Sequence, residues 1–98
     1  MTDKQTDDLV KKKLVDYLTR MGHLPDKAGR YHCIATDHKD GNPSMTIHKS
    51  GSYATCWSHP SPKDSFNIFD AIGIFEGIQS LRAQKKRAYE IYQDEIDA

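Results

Sequence analysis

Residues 31–59 read "YHCIATDHKDGNPSMTIHKSGSYATCWSH", and the fold turns on how this stretch is parsed. It contains both cysteines of the chain, Cys33 and Cys56, and the histidines His32, His38, His48 and His59. Short β-leaning runs, "RYHC", "MTIH" and "SYATCW", alternate with Gly, Pro, Asn, Asp and Ser, the residues that punctuate strands. The "KSG" between the second and third runs has the length of a hairpin connection. The pattern predicts a small antiparallel sheet over residues 28–60 with polar, ligand-type side chains at its strand ends.

The spacing of those side chains is informative. Four residues separate Cys33 from His38, two separate Cys56 from His59, and seventeen lie between the pairs. Two short-spaced pairs carried on two turns are the usual way to build a tetrahedral zinc site from nitrogen and sulfur. Cys33, His38, Cys56 and His59 are therefore the candidate ligands of one structural Zn²⁺. Two thiolates and two neutral imidazoles would make the site formally neutral, and four protein ligands leave no open position for catalysis. Folding is then expected to depend on metal. His32 adjoins Cys33, and neighbours on a strand point to opposite faces, so both cannot readily serve one ion; His32 is the substitute for His38. His23 and His48 read as loop or surface histidines.

Outward from this stretch the helical period takes over. Residues 1–8 are expected to be a flexible leader. Leu9, Val10, Leu14, Tyr17, Leu18 and Met21 then recur at three- and four-residue steps, predicting a helix over 9–21 with Asp7 or Asp8 as its cap and Gly22 at its end. A second helix is expected over 65–76, where Phe66, Phe69, Ile72, Gly73 and Glu76 share a face flanked by Ile68 and Phe75. Asp64 or Ser65 would cap it and Gly77 would stop it. Ser80 opens a third, over 81–96, with Leu81, Ala88, Ile91 and Tyr92 as buried contacts. Its "RAQKKR" run reads as a solvated face and its "YQDEID" end as an acidic tail. Residues 9–98 thus form a single α+β domain, a small antiparallel sheet with flanking helices.

Composition bounds the function. Hydrophobic residues make up 37% of the chain and charged residues 29%, so the core is thin and a staple is expected. Fourteen basic residues balance fourteen acidic ones, so any electrostatic case for nucleic acid must be local. No apolar run reaches the length of a membrane span, and the polar start "MTDKQTDDLVKKK" is not signal-like. The expected compartment is the cytoplasm, where thiols stay reduced and metal ligation is favoured over a disulfide. The cysteines are far apart and form no Cys-x-x-Cys motif, which argues against a redox protein.

Four elements occur in an order that resembles the zinc-binding domain of bacterial and phage-type DNA primases: "YHC....H", "NPSMTIH", "YATCWSH" and "DSFNIFDAIGIFEGI". The likeness covers about residues 30–92. It assigns Cys33 with His38 and Cys56 with His59 to the two ligand pairs, and Pro43-Ser44 to the step into the strand. Phe69-Asp70 and Glu76-Gly77 correspond to the start and end of the following helix. The chain departs from the family in its wider first pair, in ending on His where the family has Cys, and in "PSPKDS" where a glycine-rich turn is usual. It therefore resembles a divergent Cys-His-Cys-His branch of phage or mobile-element type, with a zinc-ribbon-like sheet.

The resemblance implies binding of single-stranded template DNA in primer synthesis, beside a primase polymerase domain. The chain holds no acidic cluster for polymerase chemistry, so it is expected not to be an enzyme on its own. Tyr53 and Trp57 are candidates to stack on bases, and Arg30, Lys39, Lys49 and Lys63 to meet phosphates. The alternative is a protein-interaction module that docks a replicative helicase or polymerase without touching DNA.

Overall fold

The computed structural model describes residues 3–34, 45–56 and 65–97. Helix α1, Asp3–Lys11, is followed at once by α2, Leu14–Arg20. The helix thus begins well inside the expected leader, and the single helix predicted over 9–21 is two. Polar contacts explain the early start. The Asp7 carboxylate accepts hydrogen bonds from Lys85 Nζ at 3.1 Å and from the Tyr89 hydroxyl, so α1 is anchored by a residue with no apolar signature. At the join, the Lys13 N–H bonds back three residues to Val10 O at 2.9 Å, a tighter turn than the α-helix. Asp7 and Asp8 lie inside α1 and do not cap it.

Three antiparallel strands follow, β1 (Met45–Ile47), β2 (Ala54–Cys56) and β3 (Ser65–Phe66), in the order β1-β2-β3. Met45 pairs with Cys56, Thr46 with Thr55 and Ile47 with Ala54; Thr55 and Ala54 in turn pair with Ser65 and Phe66. On the other edge of β1, Tyr31 and Met45 exchange two backbone bonds of 2.7 and 2.8 Å. The expected strand at "RYHC" is reduced to this one bridge.

Ser65 and Phe66 belong to the sheet, so the helix predicted from residue 65 starts later, as α3, Ile68–Glu76. Its cap is Asn67, where a reciprocal capping box replaces the expected Ser65. The Asp70 N–H donates to Asn67 Oδ1 at 3.1 Å, and the Asn67 N–H donates to Asp70 Oδ2 at 3.0 Å. Asp64 lies outside the described residues. Gly77 ends α3 in the left-handed region at φ 70°, as the sequence predicts. Ser80 caps α4, Leu81–Ile91, accepting the Ala83 N–H at 3.1 Å. The predicted helix over 81–96 is broken at Tyr92, and α5 spans Gln93–Asp97. Tyr92 is fully buried and its hydroxyl reaches across to Asp16 of α2 at 2.7 Å, a long-range contact that lies at the break.

The core lies between these layers. Val10, Leu14, Tyr17 and Leu18 come from α1 and α2, Ile68, Phe69, Ala71 and Ile72 from α3, and Ala88 with Tyr92 from the C-terminal part. The sheet side contributes Tyr31, Ile34, Met45, Ala54 and Cys56. Three residues of the predicted apolar faces lie outside it: Leu9 is half-buried, and Met21 is 40% and Leu81 56% exposed, the last two at helix ends beyond the packed face. Helices α3 and α4 approach closely at Gly73. A Cβ there would stand 2.4 Å from Gln84 Nε2 and 2.9 Å from Ile78 O, and Gln84 Nε2 donates to that same carbonyl at 2.7 Å.

Candidate metal centre and nucleic-acid face

The register of the sheet decides where the cysteines lie. Alternate residues of a strand face opposite sides. Met45, Ala54 and Cys56 are buried on the side that meets the helices, and Tyr31 is buried beside Met45. Past Tyr31, His32 is exposed, Cys33 is half-buried and packed against the core with Cys56, and Ile34 is buried. Neither Cys33 nor Cys56 is in a disulfide, and Cys56 is wholly shielded from solvent.

Strand direction supplies the second fact. Because β1 runs antiparallel to β2 and β2 to β3, Met45, Cys56 and Ser65 all lie at one end of the sheet. The chain leaving Tyr31 runs antiparallel to β1 toward that same end, bringing Cys33 and Ile34 there. Segments 35–44 and 57–64 therefore both join the fold at the end that carries Cys33 and Cys56. His38 belongs to the first segment and His59 to the second, and both lie outside the described residues, as do Lys39, Trp57 and Lys63. Among the described residues, no group of three or more His, Cys, Asp or Glu side chains stands ready to hold a metal. Two cysteines at one sheet end have the donor chemistry of half a Cys₂His₂ site, and both remaining candidates are within a few residues in sequence.

His23 is held elsewhere. Its ring stacks on Tyr31 at 5.9 Å between centroids and meets Phe75 edge-on at 5.6 Å, while Nε2 lies 2.7 Å from His32 O. It ties the loop after α2 to the sheet edge and to α3.

The outer face of the sheet has a different chemistry. Thr46, Thr55 and Ser65 form a cross-strand row, with Thr55 Oγ1 and Ser65 Oγ 3.5 Å apart. Arg30, preceding Tyr31, continues the row on the far edge. Its guanidinium lies 3.9 Å from Asp26, whose side-chain oxygen also accepts the backbone N–H of Ala28 and of Arg30 at 2.9 Å. The Arg30 N–H holds the Asp26 carboxyl below its ordinary value against the opposing effect of burial, with the Ala28 N–H and the Arg30 charge adding to the lowering. At the hairpin end, His48 and Tyr53 stack with centroids 4.3 Å apart and planes 16° from parallel. His48 Nδ1 meets Ser50 Oγ at 2.9 Å and accepts the Ser50 N–H at 3.1 Å, which fixes the ring. Lys49 is exposed in the adjoining turn.

The structure thus brings Lys49 and Tyr53 to the hairpin end of the sheet, away from the cysteine end, and leaves Arg30 beside the Tyr31–Met45 bridge. His48 is the residue that sequence reasoning passed over. The available signal was its position across a short turn from Tyr53, which makes the two a cross-strand pair. No helix among the described residues is long and apolar enough to cross a membrane. Compared with known proteins, the chain matches no family model, no curated protein and no solved structure.

Proposed function

We propose that this chain is a zinc-stapled, non-enzymatic module that binds single-stranded DNA, as its resemblance to primase zinc domains implies. The observation that carries the reading is the division of labour between the faces of one small sheet. Its inner face bears two cysteines at the end joined by both histidine-bearing segments. Its outer face offers the His48–Tyr53 stack with Lys49 in the adjoining turn, and Arg30 at the β1 edge.

Cys33, His38, Cys56 and His59 would hold the ion, which supplies no reaction and acts by pinning the strand ends. Stacked rings on a sheet face suit unpaired bases, which all present a π-face, and the neighbouring cations suit phosphates. Lys39, Trp57 and Lys63 belong to this reading from sequence. The natural partners on this view are a single-stranded template and a primase polymerase domain.

Native mass spectrometry with and without a chelator tests the staple: one zinc per chain is expected, lost in Cys33→Ser and in Cys56→Ser. Fluorescence anisotropy with a labelled single strand tests the face, with binding that weakens as salt rises and a loss of affinity in Tyr53→Ala. Metal-free protein after careful purification would overturn the first half, and no binding at low salt the second. Exposed Val15, Met21 and Leu24, the last 63% exposed, favour the second reading, a module docking a helicase or polymerase. Zinc-loaded protein that ignores DNA but co-sediments with such a partner would select it.

A further inference from the structure

Helix α4 carries Arg82, Lys85, Lys86 and Arg87 against one acid, Glu90. From sequence this run is a solvated face; the structure sorts its four cations into two kinds. Arg87 is engaged, with Nε 2.8 Å from Glu76 and a terminal nitrogen 3.6 Å from Glu90. Lys85 is engaged as well, bonded to Asp7 and 5.8 Å over the Phe69 ring. Arg82 and Lys86 are exposed and, among the described residues, meet no hydrogen-bond or ion-pair partner.

The two lie one turn apart, on the side of the helix that Tyr89 shares. With Lys85, Tyr89, Glu90 and Gln93 they line a surface groove of about 480 Å³. Of the lining groups, Lys85 and Tyr89 are already committed to the Asp7 carboxylate. Glu90 on its rim pairs with Arg87. Arg87 already serves Glu76, so Glu90 offsets one of the two remaining cations and the groove keeps an excess of one positive charge, in a chain whose net charge is zero.

We propose that this stripe of α4 is a second nucleic-acid contact, one that tracks the phosphodiester backbone and is separate from the sheet face. From Arg82 to Tyr89 it runs about 10 Å along the helix, long enough for Arg82 and Lys86 each to meet a phosphate of one strand. A phosphate backbone requires only fixed, solvent-facing cations. An acidic protein partner would draw on a desolvated apolar or aromatic anchor at the centre of the contact, and the central ring here, Tyr89, is half-buried with its hydroxyl committed to Asp7.

The test is the salt dependence of binding of a fluorescein-labelled oligothymidylate to the full zinc-loaded chain. In the double variant Arg82→Ala/Lys86→Ala, the slope of log K against log salt is expected to fall by about 1.4, at ~0.7 for each single-strand phosphate released. Arg82→Glu/Lys86→Glu should reduce low-salt affinity further, with an unchanged circular dichroism spectrum for both variants. Tyr53→Ala should lower affinity with the slope retained, so the stripe and the sheet face fail separately. Wild-type slope and affinity in both double variants would overturn the stripe, as would a wild-type chain that binds no oligothymidylate. Binding of polyglutamate that is lost in the double variants, with oligothymidylate binding unaffected, would overturn it in favour of an acidic protein partner.

Discussion

The helical layer and the sheet are held by different means. Between the N-terminal helices and the rest of the chain stand three contacts of one design, in which a tyrosine hydroxyl and a cation converge on one carboxylate. Tyr17 and Arg87 meet Glu76, Tyr92 and Arg20 meet Asp16, and Tyr89 and Lys85 meet Asp7. Each hydroxyl bond spans a long stretch of chain: 59, 76 and 82 residues. Tyr17 and Tyr92 are buried to the ring edge, so the polar clamps are continuous with the apolar core. The sheet has strands of three, three and two residues, plus one bridge at Tyr31. So few ladder bonds are marginal by themselves. The comparison teaches that the helices carry their own long-range fastening, whereas the sheet depends on burial of its inner face and, on the reading above, on metal.

Removing the metal should break the comparison most sharply. Structural zinc sites contribute about 10–16 kcal/mol of apparent binding energy at neutral pH, far more than these strands can replace. Hydrogen exchange with chelator present is expected to show lost protection at Met45–Ile47 and Ala54–Cys56, with slower loss in α3 and α4. Cys33→Ser and Cys56→Ser should reproduce that pattern. Equal protection with and without chelator would mean that the sheet stands unaided.

Next in size is the clamp at Glu76. Tyr17→Phe keeps the ring, including its edge-on contact with Phe75 at 6.2 Å, and deletes only the hydroxyl bond of 2.7 Å. A hydrogen bond to a charged group is worth about 1.5–3 kcal/mol, and Glu76 is 21% exposed, which points to the lower part of that range. Urea unfolding measures it. An unchanged midpoint would show that the clamp contributes nothing beyond packing.

Gly73→Ala is expected to cost less. Overpacking costs about 1–3 kcal/mol, and replacing Gly by Ala in a helix interior returns about 1 kcal/mol. Part of the clash is with the flexible end of Gln84, but the Ile78 carbonyl is backbone and cannot step aside cheaply. In a Gln84→Ala background the same change should cost less. An equal cost in both backgrounds would assign the strain to the carbonyl alone.

These sites also mark what could be read from sequence. Gly77 and Ser80 were legible because a left-handed stop and a side-chain cap are local chemistry. The inner helical faces were legible because Val10, Leu14, Tyr17 and Leu18 repeat with the helical period. The reading failed where the decisive contact was distant and polar. Asp7 holds α1 through residues 78 and 82 positions away, and the Tyr92 hydroxyl reaches α2 from the break between α4 and α5. Ser65-Phe66 is too short to show a strand period, so the following apolar face absorbed it into a helix. In the candidate site, Cys33 and Cys56 were nominated by spacing, while the stack of His48 on Tyr53 needed the hairpin register.

Acid should loosen the helical clamps by the smallest and most gradual step. Burial pushes the Asp7 and Glu76 carboxyls up, but their bonds outweigh it: Tyr89 and Lys85 at Asp7, Tyr17 and Arg87 at Glu76 hold both below their ordinary values of 3.8 and 4.5. At Asp16, the Arg20 and Tyr92 bonds lower the carboxyl from 3.8 against a lesser effect of burial. A carboxylate with a folded value below its unfolded one stabilises the fold fully above the unfolded value, and loses that contribution as pH falls through the folded one. The clamps should therefore be intact at neutral pH and weaken only below about pH 4.5. Asp16 should contribute least, because its side chain is 50% exposed and solvent screens the pair. Urea midpoints read from helical circular dichroism at a series of pH values check this. With Tyr17→Phe, Glu76 loses one of its two donors, its folded value moves back toward 4.5, and the acid limb becomes shallower. An acid limb of equal steepness in the variant and the parent would remove Glu76 from the clamps that respond to pH.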